Sequence, residues 1–374
     1  MKAIAITPGK AGARMIERPE PSITAGDEIK VRVLQVGICG TDREEVSGGR
    51  AAAPPGASDL VIGHEMLGQV VAVGDAVKRV TAGDHLVFTV RRGCNQCASC
   101  AMGRSDMCQS GQYRERGIKG IDGYHAEFVV DKEVYAIKVP ATLVNVAVLT
   151  EPLSVVEKAI DEAGHLQRAR CPDVAIAADW LFGRRCLVAG LGPVGLLAAM
   201  VLSLRGAEVY GLDVLDANSA RPQWLEKIGG KYIDGRAVPA ERVAEKVAPM
   251  DVVIEAAGIA KLEFNLLDAL ALNGVCVLTG IPGGDRPLQI PGAEMARRLV
   301  LGNQLLVGSV NASAGHFRMA IQDLSQAVLR WPGHVEKLLQ HYPVGDFAKP
   351  MQQAQSGAIK EVVDWATGAS TESH

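Results

Sequence analysis

Four cysteines, Cys94, Cys97, Cys100 and Cys108, lie in one short polar stretch with two, two and seven residues between them. Thiolates at such spacings converge on one ion and form a closed tetrahedral zinc site, and Gly93, Asn95, Gly103 and Asp106 supply the turns that such a lobe needs. Unrelated core cysteines do not cluster in a segment rich in Gly, Ser and Arg. A thioredoxin-like redox pair opens a helix after a strand and needs no third and fourth cysteine. A second group of ligand-type residues stands apart: Cys39 in Gly37-Ile38-Cys39-Gly40-Thr41-Asp42, His64 and Glu65 in Gly63-His64-Glu65-Met66-Leu67-Gly68, and Glu151 before Pro152. One thiolate, one imidazole and one or two carboxylates make an open zinc site, which keeps a position for a substrate oxygen. Singly, each of these residues also fits an ordinary interior or surface role.

Gly190-Leu191-Gly192-Pro193-Val194-Gly195 follows an apolar run, Cys186 to Ala189, and opens the helical pattern Leu196 to Leu204. That context makes it a dinucleotide loop. The first glycine allows the turn, the second admits a pyrophosphate, the third lets the helix pack on the sheet, and Pro193 and Val194 begin the helix whose amino terminus faces the phosphates. Asp213 ends the next strand, where an acid accepts hydrogen bonds from the adenosine ribose. A 2′-phosphate there would meet a like charge, so NAD is expected in preference to NADP, with Arg221 and Lys227 as the nearby cations that could oppose this.

The elements that must position these groups divide the chain. From Met1 to Val139, short alternating runs such as Ile29 to Val36, Val70 to Val73, His85 to Val90 and Ala126 to Val130 read as an antiparallel, barrel-type domain. Ser154 to Gln167 has a helical period, and Ala169 to Gly183, with Pro172 inside it, reads as a connection. From Arg185 onward strands and helices alternate, with strands at Cys186–Ala189, Glu208–Asp213, Val252–Glu255, Val275–Gly280 and Leu305–Val310, the pattern of a doubly wound parallel sheet. The remainder, with two helical patterns and a strand at Glu361–Trp365, is expected to return to the first domain. The expected division is therefore 1–182 with a zinc lobe at about 93–109, 183–310 for the dinucleotide, and 311–374 returning. The fold class is α/β.

Composition agrees. At 374 residues the chain exceeds one growing core, and its hydrophobic content of 48% with only 4% aromatics suits Val, Ala, Leu and Ile packed on buried strands. A formal net charge of −3 gives no global attraction to nucleic acid or anionic membrane. No apolar run approaches a membrane span or a secretory signal, so a cytoplasmic location is expected, where eight cysteines serve as ligands or core residues rather than disulfides. The tail Gly368 to His374 is polar and reads as frayed.

The motifs Gly-Ile-Cys-Gly-Thr-Asp, Gly-His-Glu-x-x-Gly-x-Val, the four-cysteine lobe and Gly-x-Gly-x-x-Gly occur in the order seen in zinc-dependent medium-chain dehydrogenases, and the chain resembles their glucose dehydrogenase branch most. The stretches that carry this include Gly37 to Glu44, Arg91-Arg92-Gly93-Cys94, Glu115 to Ile118, Glu151 to Lys158 and Val310-Asn311. The resemblance implies a groES-like catalytic domain joined to a Rossmann domain, two zinc ions per chain, and a homotetramer or homodimer. It implies a catalytic zinc held by Cys39 and His64, with Glu65 and Glu151 as direct or water-mediated ligands. Hydride would pass from a sugar or secondary-alcohol carbon to a nicotinamide cofactor, and Thr41 would carry away the hydroxyl proton. Many relatives place a histidine a few residues beyond this threonine, where this chain has Arg43, Glu44 and Glu45. Glu115, Glu151 and Asn311 would contact the substrate, Asn311 also lying at the cofactor. Val90 and Val155 occupy positions that are polar in archaeal-type glucose dehydrogenases, so a less polar secondary alcohol, ketone or modified sugar is the alternative substrate. A zinc-independent quinone or enoyl reductase would lack Cys39, His64 and Glu151. A nucleic-acid-binding zinc module would use Arg91, Arg92, Arg104, Arg114, Arg116 and Lys119, a cluster read here as a solvated or subunit-facing surface.

Overall fold

The computed structural model describes residues 1–283, 287–354 and 357–366; the tail Gly368 to His374 lies outside them. The chain forms two compact units, one from residues 1–154 and 311 onward, the other from residues 155–310. No described helix is long and apolar enough to cross a membrane.

The first unit is built around the strand Glu28–Gly37. Ile29, Val31 and Val33 alternate inward, as a half-buried strand requires, and join Ile4, Ile6, Met66, Val70, Leu86, Phe88, Tyr124 and Val363 in one core. One edge of this strand pairs antiparallel with Glu65–Val73. The other edge is shared, its start pairing with Phe128–Lys132 and its end with Lys360–Asp364. The seven-stranded sheet is completed by His85–Phe88, Ala136–Val139 and Leu339–Pro343. Leu339–Pro343 had no counterpart among the expected elements; it runs parallel to the last strand. This pairing brings the C-terminal segment beside Gly37, the residue that opens the Cys39 motif.

Arg91–Arg92 and Arg114–Arg116 pair antiparallel and form the base of the cysteine lobe. Here the expected solvated or subunit-facing surface is corrected for three of its six cations, while Arg114 and Lys119 are exposed and Arg104 is half-buried. Arg91, Arg92 and Arg116 are buried. Arg92 and Arg116 both pair with buried Asp131, and Arg92 also lies over the Tyr135 ring at 3.8 Å. Arg104 pairs with Asp106, whose side chain is also buried. A polar run therefore looks solvated from its composition, yet three of its cations face inward, two of them gathered by one carboxylate.

In the second unit six parallel strands take the order Lys231–Asp234, Glu208–Asp213, Arg185–Ala189, Met250–Glu255, Leu270–Leu278, Leu305–Gly308. This is the doubly wound order of a dinucleotide-binding sheet. Lys231–Asp234 escapes a periodicity reading because only Ile233 among its four residues is buried. The helix Pro193–Leu204 is apolar around nearly its whole circumference and buried from Gly195 to Ser203.

The boundary expected between 182 and 183 falls at Ser154/Val155. Helix Thr150–Arg170 opens in the first unit, but its later turns are tied to the second: Lys158 Nζ donates to Val310 O at 2.9 Å and Gln167 Nε2 to Asn273 O at 2.7 Å. The stretch read as a connection carries a short helix, Pro172–Ile176, and buries Trp180 and Leu181. The second crossing lies between Val310 and Asn311.

Removing one partner of a buried ion pair leaves uncompensated charge, a loss of about 3–5 kcal/mol. Asp131→Ala strands two guanidinium groups and is expected to destabilise the chain by at least that much in denaturant unfolding; a change below about 1 kcal/mol would show that Arg92 and Arg116 are solvated after all.

Candidate active site and metal centres

Strand Glu28–Gly37 ends where helix Gly40–Val46 begins, and Cys39 is the residue between them. Cys39 is the helix N-cap, and its amide donates to Asp42 Oδ2 at 2.7 Å, half of a capping box. The other oxygen of Asp42 lies 3.6 Å from His64 Nδ1, which leaves Nε2 as the ring's remaining ligand atom. Asp42 is fully buried. Burial alone would raise its carboxyl, yet His64 and the Cys39 amide hold it well below the usual carboxylate range. Burial likewise disfavours the His64 imidazolium, and the Asp42 carboxylate more than offsets this.

Ligand atoms of Cys39, His64 and Glu65 lie within 4.8 Å of one another. Thiolate, imidazole and carboxylate are the donor set of an open zinc site, and the buried Asp42 behind His64 is the second partner that such a ligand histidine needs. The residues therefore fit a catalytic zinc. Glu151 is not among these close atoms. Its carboxyl is pushed up to about 7, first by burial and then by the Glu65 charge, while His64 and Lys360 pull it down. It is thus electrostatically linked to the group. Thr41 Oγ1 lies 3.9 Å from Cys39 Sγ. Just beyond Thr41, Arg43 pairs with Glu361 and Glu44 with Arg50.

Several members of this site carry no local sequence signal. Lys360, on the last strand, is buried against Glu65 and donates to Ile38 O at 2.9 Å. Gly37 makes that approach feasible: a Cβ there would stand 2.2 Å from Glu65 Oε2 and 3.0 Å from Lys360 Cε. Gly63 has φ of +91°, and a Cβ would meet His125 Cδ2 at 2.5 Å. His125 is buried, accepts from Trp365 Nε1 at 3.3 Å, and is held neutral by burial, its pKa near 4. Asp42 was legible, because Cys-x-x-Asp has the spacing of a capping box.

Glu45 is the least expected member. It is fully buried, neither carboxyl oxygen has a hydrogen-bond partner, and burial followed by the Asp42 charge pushes its pKa up to about 9.

Sulfur atoms of Cys94, Cys97, Cys100 and Cys108 also lie within 4.8 Å of one another. Asn95, at φ +58°, turns the chain between the first two. Ser110 and backbone amides draw the Cys94 thiol down to about 6, while desolvation and the neighbouring thiols push Cys100 up to about 12. The group fits a closed structural zinc.

In the second unit, a Cβ on Gly190 would meet Ala257 N at 2.8 Å and one on Gly195 would meet Gly190 O at 1.9 Å, whereas the Gly192 Cβ position is open. That open face, at the amino terminus of helix Pro193–Leu204, is where a pyrophosphate approaches. Val194 follows Pro193 in the first turn. Asp213 accepts from Leu191 N and from Val214 N, both at 2.7 Å. It braces the glycine loop as well as ending the strand. Glu255 does the same for the facing turn, its Oε1 accepting from Ala257 N and Gly258 N at 2.8 Å. Glu115 and Asn311 meet in the first unit, Asn311 Nδ2 donating to Glu115 Oε1 at 2.9 Å.

Residues 25–141 match the alcohol dehydrogenase GroES-like domain, and residues 144–365 match the glucose dehydrogenase C-terminus. Glucose 1-dehydrogenase of Methanocella arvoryzae is 39% identical over 340 residues, covering 90% of this chain and 92% of that protein. The chain belongs to the glucose dehydrogenase branch of the zinc-dependent medium-chain dehydrogenases. Glucose 1-dehydrogenase of Thermoproteus tenax is also 39% identical, over 87% of this chain and 88% of that one. The solved glucose dehydrogenase of Haloferax mediterranei, in complex with NADP, Zn and gluconolactone, superposes with a TM-score of 0.87 at 32% identity over 98% of this chain and 99% of that one. This glucose dehydrogenase family member is therefore a zinc- and nicotinamide-dependent oxidoreductase acting on CH–OH donors.

Glu45 sets a pH dependence. Its folded-state pKa near 9 exceeds the ordinary 4.5, so the folded chain retains a proton that the unfolded chain releases, and stability falls as pH rises between those values. In chelator-treated protein, Glu45→Gln is expected to remove this slope, its melting advantage widening from about pH 5 to about pH 9 by up to about 1.4 kcal/mol per pH unit. Parallel melting profiles of the two proteins would place the Glu45 charge in solvent.

Proposed function

We propose that this enzyme oxidises an aldose, glucose or a close relative, at its C1 hydroxyl, with NAD as the preferred acceptor. The observation that carries this reading is the convergence of half-buried Cys39 with buried His64 and Glu65, in a chain 39% identical to glucose 1-dehydrogenases over nine-tenths of its length. When bound by Cys39, His64 and Glu65, with Glu151 as a direct or water-mediated ligand, zinc supplies the Lewis acidity that makes a hydroxyl proton easier to lose. The chain's own residues then do three things. Asp42 orients the His64 ring and, by accepting from the Cys39 amide, fixes where Cys39 stands. Thr41 relays the hydroxyl proton, releasing its own toward the cofactor ribose and solvent as it accepts the substrate's. Glu115 and Asn311 accept and donate hydrogen bonds to the sugar, which holds its carbon in a near-attack position.

NAD preference is supported by what surrounds Asp213. Val214, Leu215 and Asp216 follow it and bring no cation. Arg236, whose guanidinium reaches Leu215 O at 3.2 Å, is committed to Asp234 at 2.6 Å. The Haloferax mediterranei enzyme was solved with NADP, so the choice within the branch is local.

A second reading rests on Val90. It is buried at a position that is polar in archaeal-type relatives, and Val155 repeats the change. Two missing hydrogen bonds weaken aldose binding by roughly ten- to a hundredfold, which favours a modified sugar or a less polar secondary alcohol. We also propose a homo-oligomer, dimer or tetramer. The edge strand Leu305–Gly308 supports it, with Leu306 exposed on it and Val300 and Leu301 exposed on the preceding helix. A cytoplasmic location is proposed on the cysteine usage.

A panel of aldoses, polyols and secondary alcohols with both cofactors, followed by nicotinamide absorbance, is expected to show turnover of aldoses; a preference for simple secondary alcohols would transfer the assignment to the second reading. Metal analysis should find two zinc ions per native chain and one in Cys39→Ala, with turnover abolished and the fold intact. A single zinc that survives this substitution would remove the catalytic-zinc assignment. Asp213→Ala should lower kcat/KM for NAD by about tenfold and for NADP by less, a carboxylate bond being worth about 1.5–3 kcal/mol. An unchanged NAD to NADP ratio would reduce Asp213 to a brace.

A further inference from the structure

Arg91 lies on the base of the cysteine lobe, and its guanidinium is spent in three directions. Nε and Nη2 both reach Glu115 Oε1, at 3.0 and 2.9 Å. Nη1 donates to the backbone oxygen of Asp106 at 2.8 Å, inside the lobe and two residues before Cys108. The flat face of the group lies 3.8 Å from the centre of the Tyr113 ring. Its side chain is 8% exposed, so these contacts are made out of water and hold one geometry.

Glu115 Oε1 also receives Asn311 Nδ2 at 2.9 Å, and Asn311 Oδ1 accepts from Ala312 N at 2.8 Å. Three donors thus converge on one carboxylate oxygen. Among the described residues no hydrogen bond uses Glu115 Oε2, so one acceptor oxygen is left, with its plane set by the guanidinium and its charge balanced by it. A lysine could supply the charge but not the arrangement, because an ammonium is a point donor and could not hold Glu115 and the Asp106 carbonyl at the same angles.

We propose that Arg91 is a positioning residue for the sugar: anchored on the cysteine lobe, it fixes the Glu115 carboxylate so that Oε2 meets a substrate hydroxyl, which couples the order of the lobe to sugar affinity. This rests on the reading of Glu115 as a sugar contact. It gives the lobe a function beyond stability. The lobe has no open coordination position of its own, yet through Asp106, Arg91 and Glu115 it reaches the substrate.

The test uses zinc-loaded enzyme and separates the two layers. Glu115→Gln alone is expected to raise KM for glucose about tenfold, the loss of one charge-assisted bond. Arg91→Lys is expected to raise KM for glucose by a similar factor, with kcat within about threefold, KM for NAD unchanged and zinc content as in the native protein. Combined, the two substitutions should raise KM little beyond either alone, because they remove one interaction. If Glu115→Gln raises KM and Arg91→Lys does not, or if their effects multiply, the positioning proposal is overturned and the Glu115 contact stands. If Glu115→Gln leaves KM unchanged, the substrate reading itself fails, and this proposal fails with it. Should Arg91→Lys lose its zinc, the native protein decides: reciprocal coupling requires that saturating glucose slow alkylation of the four lobe cysteines, read peptide by peptide, and an unchanged rate overturns the proposal.

Discussion

A buried carboxylate, Asp42, is the constraint on which the rest of the site depends. Taking a carboxylate out of water is costly, and the cost is met here by two groups of different kinds, the Cys39 amide, which donates to one oxygen, and the His64 ring, whose Nδ1 stands 3.6 Å from the other. The first sets where the helix begins and therefore where the thiolate stands. The second sets which ring nitrogen remains for metal. With Asp42 in place, the end of strand Glu28–Gly37, the start of helix Gly40–Val46 and the start of strand Glu65–Val73 are bound into one object. Glu65 is then secured from the far end of the chain by Lys360, through a gap that exists because residue 37 has no side chain.

The second unit solves a similar problem in a similar way. Asp213 and Glu255 are both strand-end acids whose oxygens accept backbone amides of glycine-containing turns. Such a turn has few side chains with which to hold itself, so its shape has to be imposed by neighbours. Asp213 is therefore a member of the loop it faces. The same logic extends to the cysteine lobe. Three of its cations are turned from solvent: Asp131 gathers Arg92 and Arg116, and Arg91 ties Asp106 to Glu115.

Cysteine spacing, the glycine loop in its strand-to-helix setting, and the Cys39 and His64–Glu65 motifs were all legible in the sequence, because each joins residues close along the chain whose chemistry is strict. So was the alternation of strands and helices from Arg185 onward, where long apolar runs leave little choice. The strand Lys231–Asp234 was not, since one buried residue in four makes no period. Nor was the crossing at Ser154, because a helix of uniform pattern does not record which unit each of its turns joins.

By itself the sequence determined the two folds, their order and the two clusters of ligand-type residues, since those follow from local spacing and periodicity. Tertiary structure alone decided which groups share an environment. It put Lys360 against Glu65 across nearly the whole chain, sealed Glu45 away from any partner, and turned Arg91, Arg92 and Arg116 inward. The physical reason is that the charge state and direction of a buried side chain are set by what packs around it, and its packing partners here come from strands distant in sequence.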